Sequence, residues 1–256
     1  MRFACLGSGS SGNALLVEVN QTRLLLDCGF GLRESIRRLA RLNVAPEELT
    51  GILVTHEHSD HIGGVARLAR KFNLPVWLTH GTRTAWQSAG DSLPVVLHTI
   101  DSYHRFNIGD IEIEPFPVPH DAREPVQYVF GDGARRLGVL TDVGCSTPHI
   151  EATLSHCEAL VLECNHDLEL LLKSSYPPSL KKRITGRFGH LDNARSAELL
   201  ARLDKGRLQH IVAAHLSQEN NTPELARKAL CGVLNCTAEW VGIADQEEGF
   251  GWRQIA

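Results

Sequence analysis

The stretch THEHSDHIGG, residues 55–64, sets His56, His58, Asp60 and His61 within six positions, between an apolar run and a glycine pair. In a chain with 13 histidines among 256 residues, the spacing H-x-H-x-D-H arises by chance in roughly one or two of a thousand such chains. Imidazole and carboxylate together bind divalent metal without thiolate, so metal-ion chemistry is the first expectation. Alternate residues of extended backbone point the same way, so His56 and His58, following the run Ile52–Thr55, can share one ion. Asp60 and His61 stand where the Gly63-Gly64 helix begins and project from another direction, toward a second ion. Two ions need more than four ligands, and strand ends are where one sheet edge gathers them. His120, Asp142 and His215 each end an apolar run, at Glu114–Pro119, Leu137–Thr141 and Ile211–Ala214. Taken singly, each also reads as a turn or capping residue.

The loop GSGSSGNA satisfies G-x-G-x-x-G at Gly7, Gly9 and Gly12, with Asp27 about where a ribose-binding acid belongs. A dinucleotide fingerprint must open a helix, whereas Ala14–Val19 has the composition of a strand. The phosphate-binding lysine is absent too, since Asn13 and Ala14 occupy the Lys and Ser/Thr positions. A flexible turn is the expected role of the loop, with substrate contact the alternative.

The elements that must position these residues are legible from periodicity. Short strands are predicted at Phe3–Leu6, Ala14–Val19 and Arg23–Asp27, followed by a helix over Leu32–Leu42 and the strand Ile52–Thr55. Ile62–Phe72 reads as a helix, then come a strand at Val76–Leu78, a helix over Thr82–Ala89 and a strand near Val95–His98. A second β-rich stretch covers Ile111–Phe116, Gln127–Phe130 and Arg136–Leu140, with Gly-Asp and Asp-Gly turns. Strands Ala159–Glu163 and His210–Ala214 then alternate with helices at Leu168–Lys173, Asn193–Leu203 and Pro223–Leu234. Strands followed by α/β, twice over and without a low-complexity linker, predict one domain over 1–256 in which two halves pack sheet against sheet under outer helices.

A hydrophobic content of 43% supports a core that needs no staples, and a net charge of −4 provides no global attraction for nucleic acid or anionic membrane. Seven scattered cysteines without a C-x-x-C pair, no leader-like N-terminus and no apolar run of spanning length predict a cytoplasmic, soluble protein with no membrane partner. Local charge differs from the bulk. Between Lys181 and Arg207 eight cations, Lys182 and Arg187 among them, face three acids, an excess that favours phosphates over neutral substrates. His190 lies inside this stretch, and Asn165 and His166 beside it are candidate substrate contacts, with helix capping the alternative for Asn165. The aromatic residues are scattered, with no evident ladder for stacking bases.

LLLDCG at 24–29, THEHSDHIGG, PHDAREPV at 119–126, LTDVG at 140–144 and AAHLSQENN at 213–221 resemble the successive motifs of the metallo-β-lactamase fold superfamily. Within it, ECNHD at 163–167, YPPSLKKRI at 176–184 and GHLDN at 189–193 resemble the YycJ (WalJ)-like branch, regarded as exonucleases. The resemblance implies an α/β fold, a four-layer αββα sandwich, with a dinuclear site on the edge between the sheets. Carried over, His56, His58 and His120 would hold one metal, Asp60, His61 and His215 the other, Asp142 would bridge, and Asp27 would be a supporting carboxylate that orients the site.

Nitrogen and carboxylate ligands suit two divalent ions, zinc first, manganese or iron as alternatives. Two such ions hold a bridging hydroxide and clamp a phosphoryl group for in-line phosphodiester hydrolysis. Asp60 is expected to take a proton from that hydroxide and His190 to protonate the leaving oxygen, the latter by analogy with the tRNA-processing branch. The expected activity is exonucleolytic cleavage of DNA, with RNA as an alternative substrate and oligomeric partners unknown. A glyoxalase II-type thioester hydrolase or a mononuclear-iron dioxygenase would use much the same ligands on this fold, and a DNA-end binding module would keep a structural metal without turnover.

Overall fold

The computed structural model describes residues 1–89 and 96–256. The chain opens with an antiparallel meander, β1 (Arg2–Gly7), β2 (Ala14–Val19) and β3 (Thr22–Leu26), with Asn20 in the left-handed conformation at the turn between the last two. Parallel strands follow: β4 (Gly51–Leu53) after α1 (Leu32–Arg41), and β5 (Val76–Thr79) after α2 (Ser59–Ile62) and α3 (Val65–Phe72). α4 (His80–Ser88) precedes β6 (Leu97–Ile100), which pairs in parallel with β5. The predicted strand near Val95–His98 thus appears two residues later, and Val95 lies outside the described residues.

A second sheet repeats the plan. β7 (Phe106–Ile108), β8 (Ile111–Pro117), β9 (Val126–Gly131) and β10 (Arg136–Leu140) form an antiparallel meander. β11 (Ala159–Glu163), β12 (His210–Ala214) and β13 (Val241–Ile243) add to it in parallel. Their connections carry α5 (Pro148–Leu154), α6 (Leu168–Lys173), α7 (Pro178–Ile184), α8 (Asn193–Arg202) and α9 (Pro223–Leu234). β14 (Phe250–Gln254) returns to the first sheet and pairs antiparallel with β1, giving the orders β14-β1-β2-β3-β4-β5-β6 and β13-β12-β11-β10-β9-β8-β7.

Three apolar clusters define the layers. Phe3, Val17, Leu24 and Leu53 of the first sheet meet Ile113, Tyr128, Phe130 and Val161 of the second, alternate residues of each strand facing inward. The other face of the first sheet, with Leu16, Leu25 and Ile52, is covered by Leu39 of α1 and Val65 and Leu68 of α3. The outer face of the second sheet packs Leu160, Leu162 and Ile211 against Ile150, Leu199 and Leu230 of α5, α8 and α9. The result is the αββα sandwich expected from the motifs.

The structure departs from the sequence reading at the ligand motif. Ile62–Phe72 is not one helix but breaks between α2 and α3, where Gly64 donates its N–H to the Cys28 carbonyl at 2.7 Å and a Cβ would lie 1.9 Å from the Phe30 carbonyl oxygen. β7, α5, α7, β13 and β14 are not predicted from the sequence. α7 buries no residue, so it has no apolar face for periodicity to reveal. The GSGSSGNA loop is no loose turn: Asn13 is buried, and its amide reaches the carbonyl of Gly9 at 3.0 Å and that of Asp60 at 3.3 Å. Among the described residues no helix is long and apolar enough to cross a membrane.

Candidate metal centre

Strand ends supply most of the site, and three of them end in a strained residue. Asp27 after β3, Asp142 just beyond β10 and His215 after β12 have φ of 60°, 53° and 55°. Such left-handed conformations cost an L-residue about 1–2 kcal/mol, so the surrounding packing must hold them. Each turns the chain sharply at the same edge of the two facing sheets. α2 brings Asp60 and His61 to that edge, and the extended segment before it brings His56 and His58, with His58 at the helix N-cap.

Seven of the sequence-expected residues come together there. The ligating atoms of His56, His58 and His120 fall within 4.8 Å of one another, as do those of Asp60, His61, Asp142 and His215. His56 Nε2 lies 3.0 Å from His58 Nδ1, and His120 Nε2 lies 3.3 Å from the same atom. In the second group His61 Nε2 stands 3.1 Å from Asp142 Oδ2 and 3.4 Å from Asp60 Oδ2, and His215 Nε2 stands 3.5 Å from Asp60 Oδ2. Ligands at about 2.0–2.2 Å from a shared ion are about 3.0–3.5 Å apart, so these spacings suit ligands around an ion. Asp142 turns Oδ2 to His61 of the second group, while its Oδ1 stands between the groups, 3.9 Å from His120 Nε2 and 3.6 Å from His215 Nδ1.

The surrounding hydrogen bonds set which nitrogen each ring presents. His61 Nδ1 lies 2.8 Å from Asp27 Oδ2, and Thr55 gives both its N–H and its hydroxyl to the Asp27 carboxylate at 2.8 Å. His56 Nδ1 meets the Thr55 hydroxyl at 3.0 Å, His120 Nδ1 the Gly189 carbonyl at 3.1 Å and His215 Nδ1 the Glu163 carboxylate at 3.3 Å. With Nδ1 committed to an acceptor, Nε2 keeps its lone pair for a cation. The fit to a metal rests on two further atoms. Among the described residues His215 Nε2 and Asp142 Oδ2 are buried without a well-aligned hydrogen-bond partner, an arrangement that costs free energy unless something else occupies those lone pairs.

Electrostatics agrees. Burial would raise the Asp60 and Asp142 carboxyls, yet the imidazoles of His61 and His215 hold both well below the usual carboxylate range. Burial would lower His215, but Asp142, Asp60 and Glu163 push it up to about 10, and Asp142 and Asp27 raise His61 likewise. A field that draws protons there draws divalent cations too. Burial keeps His56 and His120, in the all-imidazole group, below the ordinary histidine value.

The sequence reading missed Glu163, the last residue of β11. Fully buried, it accepts the N–H groups of Asp142, Val143 and Leu191 at 2.9–3.1 Å, bonds His190 Nδ1 at 2.8 Å and approaches His215. It forms a third group with Asp142, His190 and His215. Its signal was present, an acid ending the apolar strand ALVLE as Asp142 and His215 follow theirs. His190 is held by this carboxylate and is one-fifth exposed; although burial would lower it, Glu163 raises it above the ordinary value.

The remaining expected residues are placed differently. Asn165 is buried and gives its amide to the His215 carbonyl at 3.0 Å, so it braces that candidate ligand and is not open to solvent. His166 is buried as well, with Nδ1 against Asn165 Oδ1 at 3.2 Å and Nε2 without a hydrogen-bond partner among the described residues. Lys182, on α7, and Arg187, in the loop after it, are exposed, and their side chains make no hydrogen bond or ion pair among the described residues. Arg183 reaches from α7 to Asp121, next to His120, at 2.6 Å.

A family model described as a beta-lactamase superfamily domain matches residues 22–211. Exodeoxyribonuclease YycJ from Bacillus anthracis is 38% identical over 98% of this chain and 91% of its own length. Exodeoxyribonuclease WalJ from Streptococcus pneumoniae is 37% identical over 94% and 91%. The crystal structure of the metallo-beta-lactamase fold protein YhfI from Bacillus subtilis superposes with a TM-score of 0.75, 16% identity and 98% coverage of both chains, a likeness of fold. With its αββα layers, its edge-sited histidines and carboxylates, and these matches over nearly its whole length, the chain belongs to the metallo-β-lactamase fold superfamily, as a homologue of the YycJ and WalJ exodeoxyribonucleases.

Proposed function

We propose that this protein is a dinuclear metal-dependent phosphodiesterase that removes nucleotides from the ends of DNA. The observation that carries the reading is Asp142, whose two carboxylate oxygens face the two histidine groups. His56, His58 and His120 would hold one ion and Asp60, His61 and His215 the other, with zinc the best match to this donor set. When bound, the ions supply a hydroxide at neutral pH and charge stabilisation for the attacked phosphoryl group.

The chain's own residues do the rest. Asp60, held ionised and 80% shielded on its side chain, would accept a proton beside His61 and His215. His190, raised by Glu163 and so carried as the imidazolium, gives Nδ1–H to that carboxylate and has Nε2–H to offer the leaving oxygen. Lys182 and Arg187 carry unneutralised charge that draws a phosphodiester backbone to the site. Asp27, Thr55, Glu163 and Asn165 fix the rings, as supporting groups around metal ligands do.

The test is metal analysis of the purified protein, followed by assays with end-labelled DNA, RNA and a glutathione thioester. We expect about two equivalents of metal per chain, nucleotide release from DNA ends, and in Asp142→Ala a loss beyond the roughly 10- to 100-fold that removal of a mere supporting partner costs. Faster hydrolysis of the thioester, or DNA binding without turnover by the metal-loaded protein, overturns the reading.

A further inference from the structure

The loop between α7 and His190 carries an aromatic ring that no core claims. Phe188 is 56% exposed, whereas Phe3, Phe116 and Phe130 are fully buried, and it makes no ring contact among the described residues. The segment that carries it is cationic: PSLKKRITGRFG, 178–189, holds Lys181, Lys182, Arg183 and Arg187 and no acid, and of these Arg183 pairs with Asp121.

The ring's position is fixed by its neighbours. The Gly189 carbonyl, one residue on, accepts from His120 Nδ1 at 3.1 Å, and the following residue is His190. Gly189 N–H bonds the Gly186 carbonyl at 3.0 Å and His190 N–H the Ile184 carbonyl at 2.9 Å. The Arg187 carbonyl packs so closely on Gly144 that a Cβ there would stand 2.2 Å from it. An apolar face is thus held out to solvent by a braced loop, one residue from the group that orients a candidate metal ligand and amid charges suited to phosphates.

Resting on the proposed nuclease reading, we infer that Phe188 is a stacking platform for an unpaired nucleobase next to the cleaved phosphate. A base face is the apolar, planar partner that arrives attached to an anionic backbone, and aromatic side chains in basic grooves take bases irrespective of identity. A base inside a duplex is already stacked on its neighbours and must be unpaired to reach such a ring. The platform therefore makes single-stranded or frayed ends better substrates than blunt duplex ends.

Steady-state hydrolysis of single-stranded and blunt duplex DNA by the metal-loaded wild type, Phe188→Leu and Phe188→Trp tests this, with thermal unfolding as the check on folding. Stacking predicts that F188W stays within about threefold of wild type, while F188L raises KM for the single strand about ten-fold or more, with kcat little changed, and narrows the preference for unpaired ends. An F188L enzyme with the wild-type KM and preference overturns the platform while leaving the nuclease reading intact. F188W falling alongside F188L also overturns it, by assigning the ring to loop packing. A wild type that cleaves no DNA overturns the nuclease reading and the platform with it.

Discussion

Glu163 ties several parts of the site together, because one carboxylate accepts three backbone N–H groups and fixes His190 and His215 as well. With so many donors satisfied, and with His190 and His215 beside it, it stays ionised, its carboxyl held down at about 2 against the pull of burial. Glu163→Gln replaces one accepting oxygen with an amide that confronts these donors. Loss of a supporting partner of this kind costs about 10- to 100-fold in activity or metal affinity. We expect kcat on DNA to fall by that factor while the His56, His58 and His120 group keeps its ion, measured by turnover together with metal analysis. Unchanged turnover would show that Glu163 only ties strands together.

At the scale of elements, the ligand motif works because it is broken. Were Ile62–Phe72 one continuous helix, the chain could not drop Gly64 between the Cys28 and Phe30 carbonyls, and α2 would lose its fixed distance from the β3 end that carries Asp27. Gly29 seals the other side, its Cα so close to the Asp60 carbonyl that a Cβ would lie 1.9 Å away. Gly64→Ala has no room, and neither obstructing group is a flexible side chain. Urea unfolding should show a loss of about 3 kcal/mol, at the upper end for overpacking, with a larger fall in metal content than in helix content. Wild-type stability in that variant would mean that the two carbonyls yield easily. The helical pattern itself was legible in Val65, Leu68 and Ala69, which are all buried; the break was not, because two adjacent glycines permit a kink without requiring it.

Across the whole molecule the two candidate ions would act as rivets between sheets. His56, His58, Asp60 and His61 follow β4 of the first sheet, while His120, Asp142 and His215 follow β8, β10 and β12 of the second. Binding to the folded state alone stabilises it by about 2.7 kcal/mol when free metal is 100 times its Kd, which for a chain of this size is about 5–10 °C in Tm. Chelation followed by dialysis should lower Tm by at least that much, and restored zinc should recover it. Equal melting of the stripped and loaded protein would place the ions at the surface, outside the frame.

Residue types and spacing alone determined the first half of the centre, since His56, His58, Asp60 and His61 are local in sequence and alternation dictates their directions. The alternating strands and apolar helix faces likewise implied the layered sandwich before any coordinates. Tertiary structure alone decided what the remote residues do. Glu163, Asn165 and Asn13 are ordinary polar residues in the sequence, and their partners lie 27, 50 and 47 positions away along the chain. Left-handed turns at Asp27, Asp142 and His215, together with the registry of two facing sheets, bring them into contact, and neither is encoded in any short window.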